Sequence, residues 1–265
     1  MSDLLVEREY YKPFNYPWAF EYYKQQQHMH WLPDEVNLAD DLRDYREKMT
    51  EGNKRLLGQI FRFFTQADVD VCCGYAKHYL PTFKQPEVRM MLSAFAAMEA
   101  VHQEAYSLLL ETLGFRDDEY QKFFEHKEML DKHEYLGNFG METPMDIAKT
   151  LAIYSGFTEG VQLFSSFAIL LNFPRHNLMK GMGQIVTWSV RDETLHVEGM
   201  SHLFRAFVKE NPDIWNDDLK YEIYCAAERT VELEDAFIDL CFEGAEVPNL
   251  TPDEIKGYIR YIADR

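Results

Sequence analysis

The sequence is short of basic residues and of long apolar runs. Its 265 residues include 27 lysines and arginines against 45 aspartates and glutamates, a formal charge of −18 at pH 7. Nucleic-acid phosphates and anionic membrane surfaces repel such a chain, so we expect neither as a partner. The longest nearly apolar run, residues 161–173, contains four polar residues and is too short to span a bilayer.

Cysteines and targeting signals are scarce as well. The four cysteines form no CxxC motif, and the adjacent Cys72 and Cys73 are poorly placed to pair, so we expect reduced thiols. The first residues, MSDLLVEREYY, carry acidic charge and lack the apolar core of a secretory signal peptide. These features favour a cytoplasmic protein.

The sequence does contain strong helical periodicity, without strand-like alternation, which predicts an all-α fold. The predicted helices are residues 38–55, 57–80, 87–113, 117–136, 145–172, 176–209 and 215–243. A terminal helix follows, for which Thr251 and Glu254 form a capping box.

The remaining segments are predicted to be turns or irregular. We expect residues 1–37 to be irregular because three prolines interrupt them, at positions 13, 17 and 33. Asn138, Gly140 and Pro144 mark a loop. Residues 1–265 are therefore interpreted as one domain, a bundle of long helices.

Two predicted helices carry the spacing Glu-x-x-His, as Glu99 with His102 and as Glu193 with His196. Residues three apart share a helix face, and here each face adjoins residues that should be buried. About one such match is expected by chance in this composition, so the apolar context carries more weight than the spacing. Tyr106 lies seven residues after Glu99, on the same face.

Two further acidic residues lie in apolar surroundings. Asp68 stands in IFRFFTQADVDV, and Glu159 stands in IYSGFTEGVQLFSSF, which holds no other charge. A lone buried carboxylate costs several kcal/mol to desolvate. Each acid could pair with a distant arginine or stay partly exposed, and for any single residue that explanation suffices. It does not account for the duplicated Glu-x-x-His spacing.

A dinuclear metal site in the core accounts for all of these residues together. Such sites take one carboxylate from each of two helices and a Glu-x-x-His pair from each of two others. Four carboxylates and two imidazoles suit iron or manganese, and the acids would neutralise two divalent cations. The predicted ligands are, in chain order, Asp68, Glu99, His102, Glu159, Glu193 and His196.

The sequence resembles the small (beta) subunit of class I ribonucleotide reductase, a ferritin-like helical bundle with a dinuclear metal site. The resemblance rests on HWLPDE (30–35), TQAD (65–68), MEAVHQEAY (98–106), GFTEGVQLF (156–164) and RDETLH (191–196). It implies that the same six residues bind the two metals. It favours iron and leaves Mn/Mn and Mn/Fe open.

The resemblance also implies an activity. Oxygen reacts with the reduced metals, Tyr106 becomes a stable radical, and the large (alpha) subunit uses that radical to reduce ribonucleotides. The small subunit would be a homodimer. Family members continue past the last residues, IRYIADR, into a tail that docks on the large subunit, and we expect that tail to be missing here.

Further roles follow from the same resemblance. Asp192 would accept hydrogen bonds from His102 and from Trp31. The chain from Trp31 through Asp192 and His102 to the metal would be the inner electron-transfer route of the family. Without the resemblance, Trp31 would be interpreted as an anchor of the N-terminal segment. Leu163 and Phe167 match positions that line the radical pocket, although ordinary core packing would bury them too.

Three other functions remain open. An oxidase or monooxygenase on the same scaffold predicts an open substrate cavity and usually a glutamate at position 68. Iron storage predicts a shorter chain that assembles into a shell, and it requires neither Tyr106 nor Trp31. A metal-free structural bundle predicts that the buried acids have protein partners.

Overall fold

The computed structural model describes residues 3–137 and 139–265, and these residues form helices joined by turns. Asn138, one of the residues predicted to mark a loop, lies outside them. Within the described residues, the one strand-like feature is an isolated bridge between Val247 and Leu250. No helix among them has both the length and the apolarity needed to cross a membrane. The predicted all-α class is confirmed.

The α-helices of four or more residues are numbered in chain order. They are α1 (Pro17–His28), α2 (Ala39–Glu47), α3 (Glu51–Gly74), α4 (Pro86–Leu113), α5 (Asp118–Gln121), α6 (Lys127–Leu136), α7 (Pro144–Thr150), α8 (Phe164–Arg175), α9 (Lys180–Glu210), α10 (Asp217–Phe242) and α11 (Pro252–Ala263). Two π-helical segments extend them: Tyr75–Tyr79 continues α3, and Leu151–Gln162 joins α7 to α8. Both have wider turns than an α-helix.

The first prediction that fails is the irregular N-terminal segment. Residues 17–28 form α1, with Pro17 in its first turn, where a missing N–H costs nothing and the fixed φ favours the helix. Pro174 likewise does not end α8, which continues to Arg175. In both cases the helix includes a proline that the sequence pattern predicts to interrupt it.

Two helix boundaries also differ from the prediction. The chain breaks after α2 rather than near residue 56, because the Thr50 hydroxyl caps α3 by accepting from Asn53 N at 3.2 Å. The charged stretch 117–136 is divided into α5, a 3₁₀ turn and α6. The terminal capping box is confirmed: Glu254 N donates to Thr251 Oγ1 at 3.3 Å.

Helices α3 and α4 form an antiparallel hairpin that carries half of the predicted ligands. Gln103 Nε2 donates to the carbonyl of Asp68 at 3.1 Å, while Cys72 Sγ contacts the carbonyl of Ala96 at 3.6 Å. Residue numbers therefore rise along one helix as they fall along the other. The second half of the ligands lies on the π-helix Leu151–Gln162 and on α9, which pack along each other.

The N-terminus of α9 is fixed by acidic residues of α2. Asp41 accepts from the backbone N–H groups of Gly181 at 2.9 Å and Met182 at 2.8 Å, and Asp44 accepts from Met179 N at 3.1 Å. Carboxylates satisfy the unpaired N–H groups there and face the positive end of the helix dipole. This contact sets the position of the helix that carries Glu193 and His196.

The apolar core consists of two clusters, and the predicted ligands contact both. Trp31 belongs to the first cluster, and its ring lies 5.9 Å from the ring of His102. Phe95 belongs to the second, and its ring lies 4.4 Å from that of His196. The polar residues are thus enclosed by apolar side chains on either side.

Candidate metal centre

The structure brings the six predicted ligands together in the core. None of them exposes more than 1 % of its surface. They come from four helical segments: Asp68 from α3, Glu99 and His102 from α4, Glu159 from the π-helix, and Glu193 and His196 from α9. Partial exposure, the ordinary explanation for the acids, is therefore wrong.

Their ligand atoms form two overlapping groups. One comprises Asp68, Glu99, His102 and Glu193, the other Glu99, Glu159 and His196, and within each group the atoms lie within 4.8 Å of one another. Each group has the number and type of ligand that a divalent metal needs. Glu99 belongs to both, so its carboxylate lies between two possible ion positions.

The two glutamates of the Glu-x-x-His pairs each face both histidines. Glu99 Oε1 lies 2.8 Å from His196 Nδ1, and its Oε2 lies 3.5 Å from His102 Nδ1. Glu193 Oε1 lies 3.1 Å from His102 Nδ1, and its Oε2 lies 3.5 Å from His196 Nδ1. Each of the two carboxylates therefore lies between the two imidazoles.

Buried polar atoms without a hydrogen-bond partner are concentrated in this cluster. Within the described residues there are thirteen such side-chain atoms, and seven belong to the six predicted ligands, each of which contributes at least one. They are Asp68 Oδ2, both Glu99 oxygens, His102 Nδ1, Glu159 Oε2, Glu193 Oε2 and His196 Nδ1. The histidine Nδ1 atoms lie close to the glutamate oxygens, but their geometry is not that of hydrogen bonds. Bound cations would supply the missing partners.

No lysine or arginine among the described residues serves as that partner. Across residues 3–137 and 139–265, the ion pairs of the six ligands join them to histidines and to one carboxylate neighbour, never to a lysine or arginine. Pairing with distant arginines is therefore excluded. A buried cluster of four acids and only two imidazoles has an excess of negative charge. Two divalent cations would neutralise that excess.

The excess of negative charge and the burial of the cluster shift the pKa values of its members. Burial, aided by the nearby charge of Glu99, raises the pKa of Asp68 well above its ordinary value, and burial does the same for the pKa of Glu159. Burial alone would lower the pKa of His196, but the carboxylates of Glu193 and Glu99 raise it to about 10. Protons thus compensate part of the negative charge when metal is not bound.

Hydrogen bonds behind the ligands orient both imidazoles. His102 Nε2 lies 3.3 Å from Asp192 Oδ2, which also accepts from Trp31 Nε1 at 2.7 Å. His196 Nε2 lies 3.0 Å from Gln26 Oε1, and Gln26 Nε2 donates to Asp192 Oδ1 at 3.3 Å. With Nε2 occupied, each histidine presents Nδ1 to the cluster, as metal-binding histidines do.

Gln26 is a residue that the sequence did not reveal. It lies on α1, 2 % exposed, and links Asp192 to His196. It is one of three consecutive glutamines in a segment predicted to be irregular, so neither charge nor periodicity distinguished it. Its position depends on the packing of α1 against α4 and α9.

Tyr106 lies beside the cluster in an apolar pocket. Its hydroxyl donates to Ser189 Oγ at 3.0 Å, and its ring stacks on Phe64 with centroids 4.6 Å apart. The Phe167 ring packs against the Phe64 ring with centroids 5.0 Å apart, and Leu163 is buried in the same apolar cluster of the core. The pocket excludes water, and burial raises the pKa of the phenol, which is therefore neutral.

A second tyrosine, Tyr75, contacts the cluster directly. Its hydroxyl donates to Glu159 Oε1 at 3.0 Å, and the residue is fully buried. The sequence signal was available: Tyr75 follows Asp68 by seven residues, as Tyr106 follows Glu99.

A surface cleft of about 770 Å³ lies nearby but does not open onto the ligands. Its lining includes Asp70, Cys73, Lys77, His133 and Tyr154, and none of the six predicted ligands. It is therefore not the open substrate cavity that the oxidase alternative predicts beside the six ligands.

Solved structures share this fold. The ribonucleotide reductase R2 subunit from Clostridium botulinum has a TM-score of 0.87 at 21% identity and covers 94% of this chain and 80% of its own. The Rnr4 homodimer from Saccharomyces cerevisiae gives 0.80 at 18% identity, with coverages of 98% and 82%. An R2-like ligand-binding oxidase with a Mn/Fe cofactor gives 0.69 at 16% identity, with coverages of 93% and 91%.

Sequence comparison identifies the family. A protein of Invertebrate iridescent virus 6, described as a probable ribonucleoside-diphosphate reductase small subunit, is 44% identical over 99% of this chain and 82% of its own length. The family described as ribonucleotide reductase, small chain, matches residues 8–265. With the ligand cluster and the helical bundle, these matches establish that the chain belongs to the ribonucleotide reductase small-chain family.

Proposed function

We propose that this chain binds two metal ions and uses them to oxidise Tyr106, so that a large subunit can reduce ribonucleoside diphosphates. The observation that carries the proposal is the set of seven partnerless atoms, to which every predicted ligand contributes. One ion would be held by Asp68 and His102, the other by Glu159 and His196, with Glu99 and Glu193 shared between them. Bound metals, once oxidised by oxygen, would supply the one-electron oxidant.

The metal is proposed to be iron, with Mn/Mn and Mn/Fe as alternatives. Carboxylate and imidazole ligands suit iron and manganese alike, so the ligand set by itself does not separate them. Iron is favoured by the combination of Asp68 with Tyr106, which resembles the tyrosyl-radical members of the family.

The pocket around Tyr106 supports its role as the radical site. The Tyr106 hydroxyl donates to Ser189 Oγ, which in turn donates to the Ile185 carbonyl at 3.2 Å, so these hydrogen bonds fix the orientation of the phenol. Phe64 and Phe167 exclude water and external reductants from the ring. An apolar enclosure of this kind would prolong the life of the radical.

Trp31 is proposed to carry electrons to the centre. Its indole N–H is hydrogen-bonded to Asp192, and Asp192 contacts His102, so a continuous path leads from the indole to a predicted ligand. The indole ring also lies 5.9 Å from the His102 ring.

The quaternary assignments rest on family membership. We propose a homodimer that works with the large subunit in the cytoplasm, and a single domain over residues 1–265. The relative from Saccharomyces cerevisiae has been solved as a homodimer.

The alternatives are less consistent with the residues present. The oxidase usually has glutamate at the first ligand position, where this chain has Asp68. Iron storage leaves the Trp31–Asp192–His102 chain without a role. A metal-free bundle leaves seven buried polar atoms without partners, which is costly.

The test combines metal analysis with EPR spectroscopy. Protein loaded with ferrous ions, manganous ions or both, and then exposed to oxygen, should contain two metals per chain and show a tyrosyl radical with the hyperfine pattern of Tyr106, a pattern that Tyr106→Phe removes. Glu193→Ala should abolish stoichiometric metal binding, because it removes a bridging carboxylate. Glu198→Ala, an exposed acid on the same helix, is the matched control. Stoichiometric metal in Glu193→Ala, or no radical with any metal mixture, would overturn the proposal.

A further inference from the structure

Two tyrosines flank the ligand cluster at equivalent positions of two helices. Tyr75 follows Asp68 by seven residues, and Tyr106 follows Glu99 by seven residues. Because α3 and α4 run antiparallel, the same step along the chain leads in opposite directions from the cluster. Tyr106 accordingly lies in one apolar cluster of the core and Tyr75 in the other.

The hydrogen-bond acceptors of the two phenols differ. Tyr106 donates to a serine hydroxyl, whereas Tyr75 donates to the carboxylate of Glu159, with 3.0 Å between the oxygens in each case. Glu159 Oε1 receives this bond, while Glu159 Oε2 has no partner and is left for a metal ion. Of the two, Tyr75 therefore has the stronger proton acceptor and the shorter connection to a predicted ligand.

We propose that Tyr75 is a second oxidisable phenol of this centre, on the side of Glu159. The inference rests on the proposed function, since the one-electron oxidant is the oxidised dimetal centre. In the step, one electron leaves the phenol for that centre, the phenolic O–H bond breaks, and the proton passes to Glu159 Oε1. The products are a neutral tyrosyl radical at Tyr75 and a protonated Glu159 whose Oε2 can still face the metal.

Coupling the proton to the electron is what makes this step feasible in the core. Tyr75 is fully buried among Tyr79, Phe95 and other apolar side chains, where a phenol cation would be left without water. A carboxylate at hydrogen-bond distance removes the proton as the electron leaves, so no net charge is created on the ring. Tyr75 would then compete with Tyr106 for the oxidant and replace it when Tyr106 cannot react.

Tyr79 provides a matched control. It is as buried as Tyr75 and lies four residues further along the same π-helical segment, but its hydroxyl bonds to the Thr150 carbonyl at 3.1 Å and to Ser155 Oγ at 2.8 Å. It therefore shares the environment of Tyr75 without the contact to a ligand carboxylate.

The experiment follows the tyrosyl EPR signal, after rapid freezing, in metal-loaded full-length protein exposed to oxygen. Wild type should show the Tyr106 radical. Tyr106→Phe should retain a tyrosyl signal with a different hyperfine pattern, which disappears in Tyr106→Phe/Tyr75→Phe and persists in Tyr106→Phe/Tyr79→Phe. Metal content is measured for each variant.

Because Tyr75→Phe could disturb Glu159, a second arm of the experiment places 3-fluorotyrosine at position 75 in the Tyr106→Phe background. The tyrosyl signal of that protein should gain fluorine hyperfine splitting.

The outcomes separate this inference from the proposed function. The role of Tyr75 is overturned, while the proposed function stands, in either of two cases. In the first, wild type forms the Tyr106 radical but Tyr106→Phe gives no tyrosyl signal. In the second, the protein with 3-fluorotyrosine at position 75 gives a signal without fluorine splitting. If wild type binds no metal and forms no radical, both fail together.

Discussion

Trp31 donates its indole N–H to Asp192 Oδ2 across 2.7 Å, although the two residues are 161 positions apart in the chain. The same carboxylate oxygen lies 3.3 Å from His102 Nε2. Asp192 therefore fixes the orientation of a predicted ligand from behind, and the N-terminal segment that holds Trp31 is part of the centre rather than a peripheral extension.

Asp192→Asn should weaken metal binding by about 10–100-fold, the usual effect of removing a carboxylate behind a metal-bound histidine. The amide has nearly the same shape but lacks the charge that makes the imidazole a better ligand. A competition titration with a chelator of known affinity measures the change. Trp31→Phe is the control, because it removes the indole N–H but leaves Asp192 in contact with His102 and Gln26. Equal losses in both variants would contradict an effect that acts through His102.

Metal binding should raise the melting temperature of the chain. Ligand at 100 times its Kd stabilises the folded state by about 2.7 kcal/mol. At roughly 2–4 °C per kcal/mol for a chain of this size, the rise should be about 5–10 °C. Differential scanning calorimetry of metal-free and metal-loaded protein measures it. Glu193→Ala should show no such rise, and an equal melting temperature of wild type with and without metal would argue against a buried site.

The six predicted ligands could be identified from sequence because their residue types conflict with their surroundings. A carboxylate such as Asp68 or Glu159 in an apolar helix requires a partner, and the repeated Glu-x-x-His spacing predicts that the partner is shared. Helix periodicity was enough to bring these faces together, since each helix has only one apolar side to bury.

The features that escaped prediction depend on contacts between distant segments. Gln26 carries no charge, so its burial leaves no trace in the sequence. The carboxylate of Asp41 at the start of α9 is indistinguishable, by composition, from the exposed acids of α2. The π-helical turns around Tyr75 and Glu159 contain residue types that also suit an α-helix, so the sequence pattern does not distinguish the two.

Metal uptake should release protons and should strengthen as the pH rises. In the metal-free cluster the pKa values of Asp68 and Glu159 are raised by burial, and that of His196 is raised by Glu193 and Glu99 to about 10. His196 therefore holds a proton near neutral pH, and burial favours the protonated forms of Asp68 and Glu159, while metal binds the deprotonated ligands. Calorimetric titrations in buffers of different ionisation enthalpy should give a binding enthalpy that varies with the buffer. A binding enthalpy and an affinity independent of buffer and pH would contradict the prediction.

Lys132 and Glu234 form a buried ion pair, and we predict that their substitutions have non-additive effects on the free energy of unfolding. Each residue exposes at most 1 % of its surface, the Lys132 ammonium lies 3.5 Å from the centre of the Phe63 ring, and Ser165 Oγ donates to Glu234 at 2.5 Å. Lys132→Met would leave Glu234 as a buried, uncompensated acid, which should lower the free energy of unfolding by about 3–5 kcal/mol.

Replacing both partners should restore much of that stability. Lys132→Met combined with Glu234→Leu leaves apolar side chains of similar volume, and such exchanges of buried pairs are often neutral. Urea unfolding of the metal-free protein measures all three variants. Lys127→Met, which breaks an exposed pair with Asp131 on the same helix, should change the free energy of unfolding by about 1 kcal/mol or less. A double variant less stable than Lys132→Met alone would show that Glu234 is held by its other contacts and not by the lysine.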